Sequence, residues 1–543
     1  MSATPPPTLH VRDLDVRYGT RPVLAGVDLT AQPGRRIGLV GENGSGKSTL
    51  LRAIAGTLPA RAVVTGEIDR VGDLAMLGQE PAFRDEQTIG EVLAAALSTL
   101  RVMVADVERL SLELGDDSDE DAQEAYGEVL DVAVAHGAWD ADRRAEEAAE
   151  RLGLGALDRG RRIGTLSGGQ RTRLALATLM TTRPSCLLLD EPTNHLDDDA
   201  LAVLAAFLRD LPGVVLLASH DRVLLDDVCT DLFDLDPSEL GTDGNGGRRF
   251  GGGWTAYEEH RAAARRRWEE TYAAQQVELT RLRGATRIGT SAIAHNRGPR
   301  DNDKFIHGFK GARVDQTLSR RKKDAERRLE TAEREQVRKP RPPLRLRADL
   351  TGGGAAGRLV QVRDLVVSSR LELERLDVTA GEHLLVSGPN GSGKSTLLGV
   401  LAGRLAPTSG SVHVSAHRVA ELAQDVHFAD PRLGAEATYV ALVGDEEAAR
   451  SPLRSLGLLP PDRHLTPVAL LSVGQRRRLG LAIAIAGAPD LLLLDEPTNH
   501  LSLALAGEIE EALQTTPGTV VVASHDRWLR RRWEGAELQL GGG

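Results

Sequence analysis

Two nine-residue stretches, GENGSGKST at 41–49 and GPNGSGKST at 388–396, carry residues that wrap a phosphate. Gly41, Asn43, Gly44, Ser45 and Gly46 form the first turn, and Gly388, Asn390, Gly391, Ser392 and Gly393 the second. Glycines let backbone N–H groups converge on phosphate oxygens, and the helix that follows points its positive end at them. Lys47 and Lys394 would neutralise β- and γ-phosphate charge. Ser48 and Ser395 would ligate Mg²⁺, and Thr49 and Thr396 complete the motif. Two runs of LLLD end in Asp190 and Asp495, each placed to hold Mg²⁺. Glu191 and Glu496 come next, where a second carboxylate polarises the water that attacks a γ-phosphate. His220 and His525 close the runs VVLLAS and VVVAS, which puts an imidazole at a strand end beside the phosphates.

These groups need elements to position them, and the elements come in two copies. IGLV and LLVS ahead of the loops read as strands, and TLLRAIAG and TLLGVLAG after them as helices. LSGGQR recurs as LSVGQR, DEPTNHL recurs unchanged, and so does ASHDR. Ser167 to Ser472, Glu191 to Glu496 and His220 to His525 are each 305 residues apart, whereas Lys47 to Lys394 is 347 and Gln79 to Gln424 is 345. The first copy thus holds about 40 extra residues, within roughly 97–150, in a segment rich in Ala, Leu and Glu that predicts helix. Arg101–Glu150 has 16 acidic and four basic residues, a surface that repels phosphate.

The chain of 543 residues has a formal net charge of −11, which taken whole speaks against nucleic acid. The charge is not spread evenly: 254–347 carries 24 basic and 13 acidic residues, leaving −22 for the remainder. Two acidic modules are joined by a basic linker. No apolar run approaches the roughly 18 residues of a membrane helix. The N-terminus lacks a signal-peptide pattern, and two cysteines, Cys186 and Cys229, make no disulfide framework. The expectation is a cytoplasmic protein with no membrane part.

The set of motifs resembles the ATP-binding-cassette ATPases over both modules. The resemblance implies an α/β fold of two tandem P-loop cassettes joined by an α-helical hairpin, and ATP hydrolysis with Mg²⁺. In that superfamily modules pair head to tail, and each ATP lies between the phosphate loop of one and the signature of the other. One site would then join Lys47, Gln79, Glu191 and His220 to Ser472, Gly474 and Gln475. The other would join Lys394, Gln424, Glu496 and His525 to Ser167, Gly169 and Gln170. Gln79 and Gln424 would share in holding Mg²⁺ with Ser48, Asp190, Ser395 and Asp495. Tyr18, 23 residues before Gly41, stands where the superfamily places an aromatic under the adenine, whereas Leu359–Gly388 contains no aromatic residue. Ser502 replaces Asp197 and Val473 replaces a signature glycine; neither change removes a catalytic group, so both sites are expected to hydrolyse, though not necessarily at equal rates.

In the linker, Trp268, Tyr272, Gln275, Leu279 and Leu282 repeat at 4-3-4-3 spacing, a coiled-coil seam with one polar position. Val314, Leu318, Ala325, Leu329 and Ala332 follow a similar stripe, and glycines within 284–312 interrupt the two helices. The tip holds Arg287, His295, Arg297, Arg300, Lys304, Phe305, His307, Phe309 and Lys310, groups that neutralise phosphates or stack on unpaired RNA bases. The boundaries expected are cassette 1 at 8–252, linker at 253–350 and cassette 2 at 357–543.

Two cassettes in one chain with a basic linker resemble the ABC-F proteins, and the long tip with NRGPRDNDKF looks most like the antibiotic-resistance members of actinomycetes. The resemblance implies a monomer with paired cassettes whose partner is the bacterial ribosome. The linker would enter at the tRNA exit site and approach the P-site tRNA and the 23S rRNA of the peptidyl-transferase centre, to counter macrolide, lincosamide or streptogramin drugs. The alternatives are a housekeeping translation factor, the ATPase component of an exporter and a DNA-binding structural ATPase. The absence of cysteine pairs and of a very long coiled coil speaks against the last.

Overall fold

The computed structural model of the chain describes residues 8–41, 44–70, 72–79, 81–114, 120–194, 196–235, 246–286, 320, 323–339, 356–368, 370–389, 391–424, 426–498 and 503–541. Two compact units divide it. One comprises Met1–Asp236, Asn245–Trp254 and Pro343–Gly543, and the other Pro237–Gly244 with Thr255–Pro342.

The first cassette opens with β1 (Leu9–Tyr18), β2 (Arg21–Ala31), β3 (Arg36–Val40), α1 (Lys47–Ala55), β4 (Ala62–Arg70) and β5 (Leu74–Leu77). A helical stretch follows: α2 (Ile89–Glu113), α3 (Glu120–Ala135), α4 (Ala141–Arg151) and α5 (Gly168–Thr182). Then come β6 (Cys186–Asp190), α6 (Asp198–Asp210), β7 (Val214–Ala218), α7 (Arg222–Val228), β8 (Asp231–Asp234) and β9 (Arg248–Gly251). The strands β6 and β7 are apolar runs buried at every position, as a sheet covered on both faces requires. They lie in a six-stranded sheet of order β5-β6-β7-β3-β8-β9, parallel except for β9. A smaller antiparallel sheet, β2-β1-β4, packs through Leu14, Val16, Leu24 and Val27 onto Leu50, Leu51 and Ile54 of α1.

The linker supplies α8 (Trp254–Thr286) and a second helical stretch, α9, over 323–334. Within this unit the seam is as the spacing predicts: Trp268, Leu279 and Leu282 are buried. The polar seam position finds partners, since Gln275 Oε1 accepts from the Val337 N–H at 2.9 Å and Nε2 donates to the Glu335 carbonyl at 3.4 Å. Trp268 Nε1 donates to the Arg338 carbonyl at 3.0 Å, and Arg283 pairs with Glu333 at 2.9 Å. Partner numbers fall as α8 advances, so the two segments run antiparallel. The basic and aromatic tip residues Arg287–Lys310 lie outside the described residues.

The second cassette repeats the plan with β10 (Arg358–Val367), β11 (Leu371–Thr379), β12 (His383–Ser387), α10 (Lys394–Leu401), β13 (Ser409–Val414) and β14 (Val419–Leu422). Short helices α11 (Ala435–Val443), α12 (Asp445–Arg450) and α13 (Leu453–Leu456) lead to α14 (Val473–Ile485). The chain closes with β15 (Leu491–Asp495), α15 (Leu503–Thr515), β16 (Thr519–Ala523), α16 (Arg527–Arg531) and β17 (Ala536–Gln539). Its parallel sheet has the order β14-β15-β16-β12-β17. The copies diverge most in one place: α2 runs for 25 residues from a Thr88–Glu91 capping box, whereas α11 stops after nine. The lengthened α2 and α3 build a small core of their own around Leu100, Val107 and Ala133. Among the described residues no helix is long and apolar enough to cross a membrane, and both cysteines are free and buried.

Candidate active site

Each parallel sheet delivers its chemistry at the carboxyl ends of adjacent strands, the edge where open α/β sheets bind ligands. In the first cassette β3 ends at Val40 and the chain turns through Gly41, whose φ of 143° admits glycine. A Cβ at Gly46, φ 102°, would lie 2.5 Å from the Leu24 side chain, so the loop needs glycine there for space as well as for backbone. In the second cassette a Cβ at Gly388 would lie 2.4 Å from the Leu540 carbonyl, and one at Gly393 2.7 Å from that of Arg370. The lysines at the helix starts fold back over these loops. Lys47 Nζ donates to the Gly41 carbonyl at 2.9 Å, and Lys394 Nζ to those of Gly388 and Pro389 at 2.7 and 2.9 Å. Burial lowers the Lys394 pKa from its ordinary value. Asn43 and Asn390 lie outside the described residues.

The next strand over brings the carboxylates. Ser48 Oγ donates to Asp190 Oδ1 at 2.8 Å, while Asp190 Oδ2 is buried with no hydrogen-bond partner among the described residues. Asp495 is hydrogen-bonded by Ser395, and among the described residues its Oδ1 is likewise buried without a partner. Burial pushes both carboxyls above the usual range. A hydroxyl beside an orphaned carboxylate oxygen is a hard oxygen donor set that fits Mg²⁺ with phosphate oxygens and water completing the shell. Gln79 and Gln424 follow β5 and β14 at the same sheet edge and are exposed.

Glu191 and Glu496 adopt left-handed backbone conformations, φ 53° and 51°, uncommon outside glycine. Each donates its N–H to the end of the neighbouring strand, to Ala218 and Ala523, both at 2.8 Å. The turn aims each carboxylate at the histidine after that strand. His220 Nε2 lies 3.4 Å from Glu191 Oε1, and the His220 N–H donates to Oε2 at 3.2 Å. In the second cassette His525 Nδ1 is 2.7 Å from Glu496 Oε1, and Ser524 Oγ donates to Oε2 at 3.2 Å. Desolvation pushes the Glu191 carboxyl up to about 7, and the hydrogen bond to Glu496 raises the His525 pKa. A buried carboxylate poised near neutrality and oriented by an imidazole has the properties of a general base for water.

The signature segments stand apart from this chemistry. Ser167 accepts from Gln170 N–H while Gln170 Oε1 accepts from Ser167 N–H, a closed capping box, and Ser472 with Gln475 does the same. Gly169 and Gly474 lie in the first turns of α5 and α14, at helix N-termini whose dipoles favour an anion. Tyr18 ends β1 half-buried, with the Arg61 guanidinium 5.9 Å from its ring centre. Sequence reasoning missed Arg477 on α14. This buried guanidinium donates to the Gln424 carbonyl at 2.6 Å and to the carbonyls of Asp495 and Glu496. The position 305 residues earlier is Thr172, which bonds its own helix at the Gly168 carbonyl. The signal was the middle arginine of QRRRL, where QRTRL has threonine.

The comparisons with known proteins agree with this geometry. The family model described as "ABC transporter" matches residues 24–194 and 372–499. The chain is 38% identical to the tylosin resistance ATP-binding protein of Streptomyces fradiae, over 99% of this chain and 98% of that one. It is 30% identical to the energy-dependent translational throttle protein of Mycobacterium tuberculosis, over 95% of this chain and 90% of that one. Among solved structures, the RNase-L inhibitor superposes with a TM-score of 0.54 at 19% identity, covering 95% of this chain and 85% of that one. An archaeal ribosome recycling factor follows at 0.53 and 20%, with the same coverage; at these identities the likeness speaks for the tandem-cassette fold. The chain belongs to the ATP-binding-cassette family, as a tandem-cassette ATPase of its ABC-F branch.

Proposed function

We propose that this protein is a ribosome-protection ATPase of the cytoplasm: with ATP bound it enters the tRNA exit site of the bacterial ribosome, directs its linker toward the peptidyl-transferase centre and counters drugs of the macrolide, lincosamide or streptogramin type. The observation that carries the reading is the end-to-end similarity to a tylosin resistance protein. The basic linker, set between cassettes of net charge −22, concentrates attraction to rRNA in one place.

In this mechanism ATP lies on Lys47 and Lys394 with its phosphates against the glycine loops. The helix ends at Ser472–Gln475 and Ser167–Gln170 then bind the same γ-phosphates from the opposite cassette, which closes the pair. Ser48, Gln79 and Asp190 in one site, and Ser395, Gln424 and Asp495 in the other, would hold Mg²⁺, which would supply neutralisation of phosphate charge. Glu191 and Glu496 accept a proton from the attacking water, with His220 and His525 orienting each carboxylate. Closure holds the linker in its working pose, so the nucleotide acts as a population switch, and hydrolysis releases the protein. The tip residues Arg287, Arg297, Arg300, Lys304 and Lys310 bind phosphates, and His295, Phe305, His307 and Phe309 stack on bases.

The test is translation by macrolide-inhibited ribosomes with and without the purified chain. Restored synthesis is expected, with loss of restoration in Phe305→Ala and Phe309→Ala at unchanged basal hydrolysis. Ribosome binding with no relief of any of these drugs would instead favour a translation factor, the reading suggested by the 30% identity to the translational throttle protein.

A further inference from the structure

The repeated ASHDR segments contain two residues the ATPase chemistry does not use. Asp221 and Arg222 of the first cassette meet Asp526 and Arg527 of the second. Arg527 donates to Asp221 Oδ2 from Nε and Nη2 at 3.1 and 2.7 Å, and Arg222 donates to Asp526 Oδ2 at 3.0 Å. Each motif gives and takes the same pair, the signature of a two-fold contact. The surroundings are not two-fold. Arg222 also donates through both terminal nitrogens to the Glu510 carboxylate, at 3.0 Å on Oε2, and its guanidinium lies 5.5 Å over the Trp528 ring. The positions 305 residues before Glu510 and Trp528 are Ala205 and Val223, which supply neither a carboxylate nor a ring. The Arg222 side chain is 2% exposed and that of Arg527 16%. The second cassette therefore builds a closed socket for an arginine of the first, and among the described residues the first builds no such socket in return.

The socket leads directly to one ATP site. Asp526 Oδ2 also accepts from Thr498 Oγ1 at 3.3 Å, two residues beyond Glu496. The Asp526 N–H donates to Ser524 Oγ at 3.0 Å, and Ser524 Oγ donates to Glu496 Oε2. His525, between them, holds Glu496 at 2.7 Å, whereas the corresponding His220–Glu191 distance is 3.4 Å. We propose that Arg222 is a positioning residue: through Asp526 the first cassette sets the geometry of Glu496 and His525, so hydrolysis at the second phosphate loop depends on the cassette contact more than hydrolysis at the first.

The inference rests on Glu191 and Glu496 being the bases of the two sites, so it is tested in the full chain with each site silenced in turn. Glu191→Gln leaves the second phosphate loop to hydrolyse, and Glu496→Gln leaves the first. Into each goes Arg222→Met with Glu510→Leu, which removes the fully buried pair together and leaves the partly exposed Asp526 without its guanidinium. A milder Glu510→Gln, which keeps the volume, is run beside it. In the Glu191→Gln background kcat should fall by about tenfold with KM for ATP unchanged, because small misplacement of a catalytic group costs rate rather than binding. In the Glu496→Gln background the change should stay within about twofold. Equal losses in both backgrounds, no loss in either, or a change confined to KM would overturn the role of Arg222. Full hydrolysis by the chain carrying both Gln substitutions would overturn the assignment of the bases, and the inference with it.

Discussion

His136 offers a pH dependence whose sign and size follow from its partners. It lies just beyond the end of α3 and ties the helical extension to the body of the first cassette. Its Nδ1 is 2.8 Å from the Thr182 carbonyl and its Nε2 3.2 Å from Asp73 Oδ1. Both neighbours are acceptors, so both ring nitrogens donate only in the imidazolium. The Asp73 hydrogen bond raises the His136 pKa against the opposing effect of burial. For Asp73 burial alone would push upward, but the hydrogen bonds from His136 and Ser185 prevail and hold the carboxyl at about 2 against an ordinary 3.8. At about 1.4 kcal/mol per pH unit, that difference corresponds to about 2.5 kcal/mol. Asp73 keeps 48% of its side chain exposed, so solvent screening reduces the contribution to about 1 kcal/mol. The depressed carboxyl stabilises above pH 3.8 and ceases to as pH falls toward 2. The raised imidazole stabilises fully below pH 6.5 and ceases to as pH rises through its folded pKa. The contribution is therefore greatest between these limits. Thermal unfolding of the wild type and of His136→Gln, with Asp73→Asn closing a double-mutant cycle, should show a coupling of about 1 kcal/mol at pH 5.5 that declines as pH is raised to 9. A coupling that stays constant over that range would refute the imidazolium assignment.

Three further outcomes are expected. Gly46→Ala places a Cβ 2.5 Å from Leu24 at φ 102°, so it should abolish ATP binding in the first cassette, read by nucleotide titration of the Lys394→Ala chain, which isolates that site. Leu279→Ala removes a seam side chain that is 1% exposed, and hydrogen exchange over α8 should report loosening by about 2–4 kcal/mol while basal ATP hydrolysis is unchanged. Glu496→Gln and Glu191→Gln should each leave ATP affinity intact while lowering hydrolysis at their own site by at least about a hundredfold, read in single-turnover assays.

The phosphate loops, the carboxylate pairs and the histidines were legible because their chemistry fixes both residue type and spacing, and two copies confirm the register. The linker seam was legible for a different reason: Trp268, Leu279 and Leu282 obey a helical period that burial requires. What escaped is what breaks the repeat. Glu510 has no counterpart in the first copy and sits in an ordinary amphipathic helix, so its carboxylate reads as surface until Arg222 is seen against it. Arg477 reads as one more basic residue in an arginine-rich run, yet it is buried under the carbonyls of Gln424, Asp495 and Glu496. Long-range partners of charged residues carry no local period, and sequence spacing cannot report them.

Nucleotide control of ribosome engagement is read directly by co-sedimentation of the Glu191→Gln/Glu496→Gln chain with bacterial 70S ribosomes, with and without ATP. Binding without hydrolysis should trap the closed state, so the protein should pellet with ribosomes in ATP and remain soluble without it. Equal distribution under both conditions would contradict the claim that the nucleotide controls ribosome engagement.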